Sequence, residues 1–117
     1  MIARPYLLVL LAEGPSHGYQ LVERLADFGV DVGTPAGVYR LLREMERAGL
    51  VHSVWELSQS RGPARRVYSI AAAGRRALDA DMVDLAATER SLATLRTRYV
   101  ALNKRSTRRQ PSAAAKR

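Results

Sequence analysis

A long segment near the C-terminus of this chain contains no strong helix breaker. Residues 72–102 contain no proline, and Gly74 is their only glycine. The segment predicts one helix of roughly 28–30 residues, about 42–45 Å long at 1.5 Å per residue. Its larger apolar residues follow a nearly heptad spacing that is interrupted close to Thr88 and Glu89. They are Leu78, Met82, Leu85, Leu92, Leu95, Tyr99 and Leu102.

A helix of this length cannot bury its whole apolar side against the small domain that 117 residues can form. A second copy of the same helix is the simplest cover, so we expect a homodimer with these seven residues at its interface. Two alternatives stay open. The helix could fold back on its own domain, or it could kink at residues 86–91.

Two shorter helices are predicted at the start of the chain. Residues 5–12 are apolar enough to imitate a targeting signal, but no small-residue cleavage site follows them, which favours a buried first helix. The second helix is expected from an N-cap at Ser16 to about Phe28. Leu21, Leu25 and Phe28 share one face of it.

The third predicted helix carries arginines along one side. Thr34 is its expected N-cap, Pro35 suits its first position, and Gly49 suits the residue just beyond its end. Its apolar side is formed by Val38, Leu41, Leu42, Met45 and Ala48. Its other side presents Ala36, Arg40, Arg43 and Arg47, of which the last three are named the arginine stripe below. Glu44 and Glu46 should partly neutralise the stripe, and Arg40 is expected to pair with Glu44. The alternative is an ordinary solvated face.

The apolar period changes from 3.6 to 2 after Gly49. Residues 51–57 and 66–70 therefore predict two strands of a β-hairpin. The polar loop between them carries Arg61 and Arg65 and no acid. We expect Trp55, on the first strand, to pack against a helix rather than to form a ligand platform.

The net charge of +8 is concentrated at the C-terminal end, where residues 103–117 hold six cations and no acid. We expect these residues to be a disordered basic tail that either improves solubility or attracts phosphates.

The chain has no cysteine, which excludes disulfides, thiolate metal sites and cysteine nucleophiles and fits a cytoplasmic protein. No apolar run is long enough to span a bilayer. Neither a metal site nor a cofactor is expected, and an enzyme is the least favoured class because no catalytic motif occurs.

Three helices, a hairpin and a long helix follow one another in the order of a winged helix-turn-helix protein. We therefore expect a mainly α fold with a β-hairpin wing, made of a DNA-binding domain (1–71), a dimerisation helix (72–102) and the tail (103–117). An α-helix fits the major groove, and a basic hairpin can reach the adjacent groove or backbone. Double-stranded DNA is the expected partner.

Several short motifs occur in a fixed order between residues 5 and 78. They are His17-Gly18-Tyr19, Val38-Tyr39-x-Leu41-Leu42-x-x-Met45-Glu46-x-x-Gly49-Leu50-Val51, Trp55, Gly62-Pro63-x-Arg65-x-x-Tyr68-Ser69 and Gly74-x-x-x-Leu78. Together they resemble the PadR family of transcriptional regulators, in its short form with a single C-terminal helix. Arg40 departs from that pattern, because the family usually has proline directly after the tyrosine of the third helix.

The resemblance implies a homodimeric repressor that binds an inverted-repeat operator and is released by a small molecule. The expected DNA-binding residues are Tyr19, Thr34, Ala36, Gly37, Tyr39, Arg40, Arg43, Arg61 and Arg65. The two tyrosines would contact phosphates, and the alternative for both is a half-buried core position. Leu92, Leu95 and Tyr99, with Trp55, could hold an apolar or aromatic effector, although a packed dimer core explains the first three equally well.

Two other classes of function stay open. A non-specific nucleic-acid-binding or packaging protein would fit the basic charge and would discriminate little against competitor DNA. A winged-helix module that binds other proteins would fit the fold, but the arginine stripe and the basic wing argue against it.

Overall fold

The computed structural model describes residues 3–57 and 64–109 of the chain, which contain four α-helices and three short strands. The elements in order are α1 (Arg4–Glu13), β1 (Ser16–His17), α2 (Gly18–Leu25), a 3-10 turn (Ala26–Phe28), α3 (Pro35–Arg47), β2 (Val51–Glu56), β3 (Arg65–Ile70) and α4 (Ala72–Arg109). The chain divides into two compact units after Met82. This mainly helical fold with a small antiparallel sheet confirms the predicted winged helix architecture.

α1 contributes the largest share of the core. Leu7, Leu8, Leu10 and Leu11 are all buried, so the helix is covered on more than one side, as is typical of a helix without a polar face. The other elements add a second group of buried side chains around it, namely Leu21, Leu25, Val32, Val38, Leu42, Met45, Val51, Tyr68 and Leu78. The prediction of a buried first helix is therefore confirmed.

α2 begins with His17 as its N-cap, so the prediction that Ser16 caps this helix is wrong. The Gln20 side-chain oxygen accepts from the His17 backbone N–H at 3.3 Å, while the His17 side chain accepts from the Gln20 N–H. This reciprocal pair is a capping box, with histidine in the position usually held by serine or threonine. Ser16 is buried in β1, where it pairs with Tyr68, and this extended pairing delays the start of the helix.

α2 ends at Leu25, earlier than predicted, and a 3-10 turn carries the chain on to Phe28. Such turns are common at helix ends because they give the last carbonyl groups a partner. Gly29 then adopts a φ of 67°, which reverses the chain. Phe28 is consequently not part of the α2 core face, and its ring instead packs edge-on against Tyr6 at 4.9 Å between centroids.

The predicted hairpin is confirmed and gains a third strand. β2 pairs antiparallel with β3, from Val51 opposite Ile70 to Glu56 opposite Arg65. β1 adds to the other edge of β3, so the strand order is β1-β3-β2. The pairing of β1 brings the beginning of α2 beside the wing.

α4 leaves the sheet through a close backbone approach. The Ala71 N–H donates to the carbonyl oxygen of Leu50 at 2.9 Å. A Cβ atom at Gly74 would lie 2.1 Å from the same oxygen, so only glycine allows the first turn of α4 to lie there. Gly74 therefore fixes how α4 joins the turn between α3 and β2.

α4 continues to Arg109, past the predicted end at residue 102. Residues 103–109 are helical where a disordered tail was expected, and residues 110–117 lie outside the described ranges. Extending an existing helix costs no new nucleus, and lysine and arginine are good helix formers. The Thr107 hydroxyl also donates to the Asn103 carbonyl oxygen at 3.0 Å. In the described ranges, none of the helices combines the length and apolarity that a membrane span requires.

Candidate nucleic-acid interface

The beginning of α3 is capped as predicted. Thr34 has an extended backbone, and its hydroxyl oxygen accepts from the Gly37 N–H at 3.0 Å. Pro35 occupies the first turn, where a missing N–H costs nothing. Ala36 is exposed and Gly37 partly exposed, so no large side chain covers this end of the helix. A backbone or base edge could therefore approach it closely.

The arginine stripe is exposed along α3. None of its three guanidinium groups forms an ion pair with a residue in 3–57 or 64–107, so the expected pair between Arg40 and Glu44 is wrong. Glu46 is the acidic residue of this helix that forms a hydrogen bond, and its carboxylate accepts from the Ser53 hydroxyl at 2.6 Å. The positive charge of the stripe is thus left available to a partner.

An open cleft of about 410 Å³ lies between α2, α3 and β3. Its walls are formed by His17, Gly18, Tyr19, Gln20, Tyr39, Arg65, Arg66 and Tyr68. Three of the predicted DNA-binding residues, Tyr19, Tyr39 and Arg65, are therefore brought together although they come from three separate elements. Tyr19 is 65% exposed, so the alternative of a half-buried core position does not apply to it, whereas Tyr39 is partly buried.

Gly18 explains how Tyr39 reaches this cleft. A Cβ atom at Gly18 would lie 2.5 Å from a ring carbon of Tyr39, so any larger residue would displace the ring. The absence of a side chain on the first turn of α2 lets the tyrosine of α3 lie across it. The contact sets the spacing of the two helices at the cleft.

The wing is tied to α3 through Arg66, a residue that was not predicted as part of the site. Its guanidinium lies 3.9 Å from the Glu46 carboxylate and 4.8 Å from the centroid of the Trp55 ring. Trp55 is 62% exposed, so the expectation that it packs against a helix is wrong. Arg66 covers its ring instead, because the two residues are cross-strand partners. Correct hairpin register would have predicted this contact.

A second unpredicted link joins α2 to the wing. The His17 Nε2 atom lies 3.3 Å from the Glu56 carboxylate at the end of β2. Glu56 is 39 positions from His17 in the sequence, so no local pattern indicated that the two side chains meet. Arg61, the remaining predicted wing residue, lies outside the described residues.

The predicted dimer-interface residues fall into two groups. Leu78 is only 6% exposed and belongs to the domain core, so the prediction that it contacts a partner is wrong. The other six are exposed in the single chain, namely Met82, Leu85, Leu92, Leu95, Tyr99 and Leu102. Within the part of the chain that the structure covers, no three His, Asp or Glu side chains come together in a way that could hold a metal ion.

Comparison with protein families decides which class of protein this is. The model of the family described as "Transcriptional regulator PadR-like family" matches residues 7–80, which include both sides of the cleft and the arginine stripe. The chain belongs to this family. PadR-like proteins are transcriptional regulators, which agrees with the resemblance inferred from the motifs. No curated protein matches the chain.

Solved structures agree with the family assignment. One is a conserved protein of unknown function described as a potential transcriptional factor; it is 33% identical, with a TM-score of 0.76 over 86% of this chain and 90% of that one. A PadR family regulator from Eggerthella lenta is 27% identical, with a TM-score of 0.64 over 76% and 79% of the two chains. Bacillus subtilis PadR, solved in complex with operator DNA, is 17% identical and has a TM-score of 0.63 over 70% and 47%. This last likeness is one of fold alone.

Proposed function

We propose that this PadR-like regulator binds double-stranded DNA sequence-specifically as a homodimer. The observation that carries the proposal is the exposed arginine stripe of α3, which has no ion pair within the described residues and lies next to a cleft that unites Tyr19, Tyr39 and Arg65. An α-helix fits the major groove, and arginine can donate two hydrogen bonds to the edge of guanine. The operator complex of Bacillus subtilis PadR supports DNA as the ligand of this fold.

The proposal divides the work among these side chains. Arg40 reads a base edge, since it is exposed on α3 close to the uncovered helix start. Tyr19, Tyr39 and Arg65 donate to phosphates from the walls of the cleft, and such contacts fix the register of a protein on DNA. Arg43 lies further along the same stripe and contacts the groove or the phosphate backbone beside α3.

The homodimer is proposed from the exposed apolar residues of α4. A helix segment in water is only marginally stable without tertiary packing, yet residues 83–109 are helical throughout. Leu92, Leu95, Tyr99 and Leu102 are exposed in the single chain, and a second copy would bury them. Sedimentation should therefore show a dimer at micromolar concentration, and a monomer there would contradict this part of the proposal.

Repression that an apolar or aromatic molecule relieves belongs to the same proposal. Leu92, Leu95 and Tyr99 lie at the proposed dimer interface, and binding sites for small molecules are lined mainly by apolar and aromatic side chains. A panel of planar aromatic compounds should include one that lowers DNA affinity. If every compound leaves both DNA affinity and Trp55 fluorescence unchanged, this part is wrong.

The test of DNA binding is fluorescence anisotropy with a duplex from the region upstream of the protein's own gene, in excess random competitor. Arg40→Ala is expected to weaken cognate binding by about 1–3 kcal/mol and random binding much less. Arg76→Ala is the matched control, because Arg76 is likewise exposed and without an ion pair to any described residue, but lies in the first two turns of α4, outside both α3 and the cleft. It should change neither affinity.

Two outcomes would contradict the proposal in different ways. Equal losses on cognate and random DNA would make Arg40 a phosphate contact rather than a reader of bases. No preference of the wild-type protein for any upstream duplex over competitor would favour a non-specific nucleic-acid-binding protein instead.

A further inference from the structure

The net charge of the chain is divided very unequally between its two compact units. Residues 1–82, which include the winged helix domain, hold ten cations and nine acids and are nearly neutral. Residues 83–117 hold nine cations and two acids. A winged helix domain with almost no net charge attracts DNA weakly at long range, because that attraction follows the summed charge of the protein. The source of electrostatic affinity should therefore be sought on α4.

The second half of α4 is helical, exposed and free of acids. Between residues 90 and 107 the chain has five cations and no Asp or Glu. These basic residues of α4 are Arg90, Arg96, Arg98, Lys104 and Arg105. All five are exposed, and none forms an ion pair with another described residue. Their charge is thus not neutralised by any ion pair within the described residues.

The helix separates these cations from its apolar side. With 3.6 residues per turn, Leu92, Leu95, Tyr99 and Leu102 fall within an arc of about 80°. Arg90 and Lys104 lie about 160° from the centre of that arc, and the other three cations lie about 80–100° from it. A partner helix seated on the apolar arc would leave Arg90 and Lys104 uncovered.

We propose that this basic face of α4 is a second DNA-binding surface, which contacts the phosphate backbone of double-stranded DNA without reading bases. The inference rests on the proposed function, and it assigns the two components of binding to separate parts of the chain. The arginine stripe of α3 supplies sequence discrimination, and α4 supplies most of the sequence-independent affinity. Cations on a helix that is already formed neutralise phosphates without the ordering cost that a flexible tail would pay.

The test compares three forms of the full-length protein on cognate and random duplexes over a salt series. The triple variant R98A/K104A/R105A removes three cations that lie outside the apolar arc. The matched control R98K/K104R/R105K keeps every charge and changes only the side-chain shapes. Each phosphate contact contributes about 0.9 to the slope of log affinity against log salt, so the triple variant should lose up to about 2.7 per contacting protomer.

The triple variant should also bind both duplexes at least about tenfold more weakly at low salt, with the ratio of cognate to random affinity unchanged. The charge-retaining control should match the wild-type protein in slope and affinity. Sedimentation of all three forms should give the same oligomeric state.

Several results would overturn the inference. One is an unchanged salt slope in the triple variant, and another is loss of binding caused by dissociation of the dimer. A third is an unchanged slope combined with lost binding to vesicles of phosphatidylserine and phosphatidylcholine, which would make the surface a membrane contact. The preference of the wild-type protein for cognate DNA tests the proposed function separately, whatever the triple variant does.

Discussion

Replacing Gly74 by alanine separates the effect of helix propensity from that of tertiary contact. Gly74 lies in the first part of α4, and alanine is more favourable there than glycine by about 1 kcal/mol if propensity alone decides. The structure indicates the opposite outcome. The new Cβ would lie 2.1 Å from the Leu50 carbonyl oxygen and 2.9 Å from a side-chain carbon of Ile70.

The expected magnitude follows from three contributions. Overpacking of this kind costs about 1–3 kcal/mol. Because the obstacle is a backbone oxygen, the Leu50 carbonyl must move, and it then loses the hydrogen bond from Ala71, which contributes about 1 kcal/mol. The lost hydrogen bond offsets the gain in helix propensity from alanine, since both are about 1 kcal/mol. We therefore expect Gly74→Ala to lower the free energy of unfolding by about 1–3 kcal/mol.

Urea denaturation followed by far-UV circular dichroism measures this change. The protein concentration must be held constant, because the stability of the proposed dimer would depend on it. Ala80→Gly is the control, since Ala80 is exposed on the same helix and reports propensity alone, with an expected cost of about 1 kcal/mol. A Gly74→Ala protein as stable as the wild type, or more stable, would refute the argument that close backbone approach requires glycine.

Substitutions at three further positions test the capping of α3 and the division of apolar residues along α4. Thr34→Ala should cost about 1 kcal/mol of unfolding free energy because it removes the hydroxyl that accepts from the helix start, and Thr34→Ser should restore most of it; an unchanged denaturation midpoint would contradict the capping role. Leu78→Ala should cost about 2–5 kcal/mol at every protein concentration because it leaves a cavity in the core. Leu92→Ala should destabilise in a concentration-dependent way and weaken self-association in sedimentation, so the reverse pattern would refute the assignment of these two leucines.

Elements with strong local signals could be predicted from the sequence. The cap at Thr34, the proline after it and the glycine at residue 49 delimit α3, because each acts through the backbone of its own or neighbouring residues. Gly49 does adopt a positive φ, of 79°, just beyond the end of that helix. The hairpin was likewise predictable from its alternation, and so was the α4 helix from its lack of breakers.

The parts that were missed depend on distant partners. β1 is two residues long, which is too short for a periodic pattern, and it exists because Ser16 and His17 pair with β3. The cover of Trp55 by Arg66 required the exact cross-strand register. The cleft itself could be predicted only in part, since Tyr19 and Tyr39 were expected at the DNA while His17, Gln20 and Arg66 were not.

The sequence was enough to locate the four main helices, the two hairpin strands and the charge, because periodicity, caps and residue type act over a few neighbouring positions. The sequence also indicated the family, because the short motifs occur along the chain in the order typical of it. Which apolar residues of α4 are covered followed only from the packing of the fold. Leu78 and Leu92 are the same residue type in one heptad-like series, yet only the first meets the core. The physical reason is that burial depends on what else packs at that place, and a pattern along one helix carries no information about its neighbours.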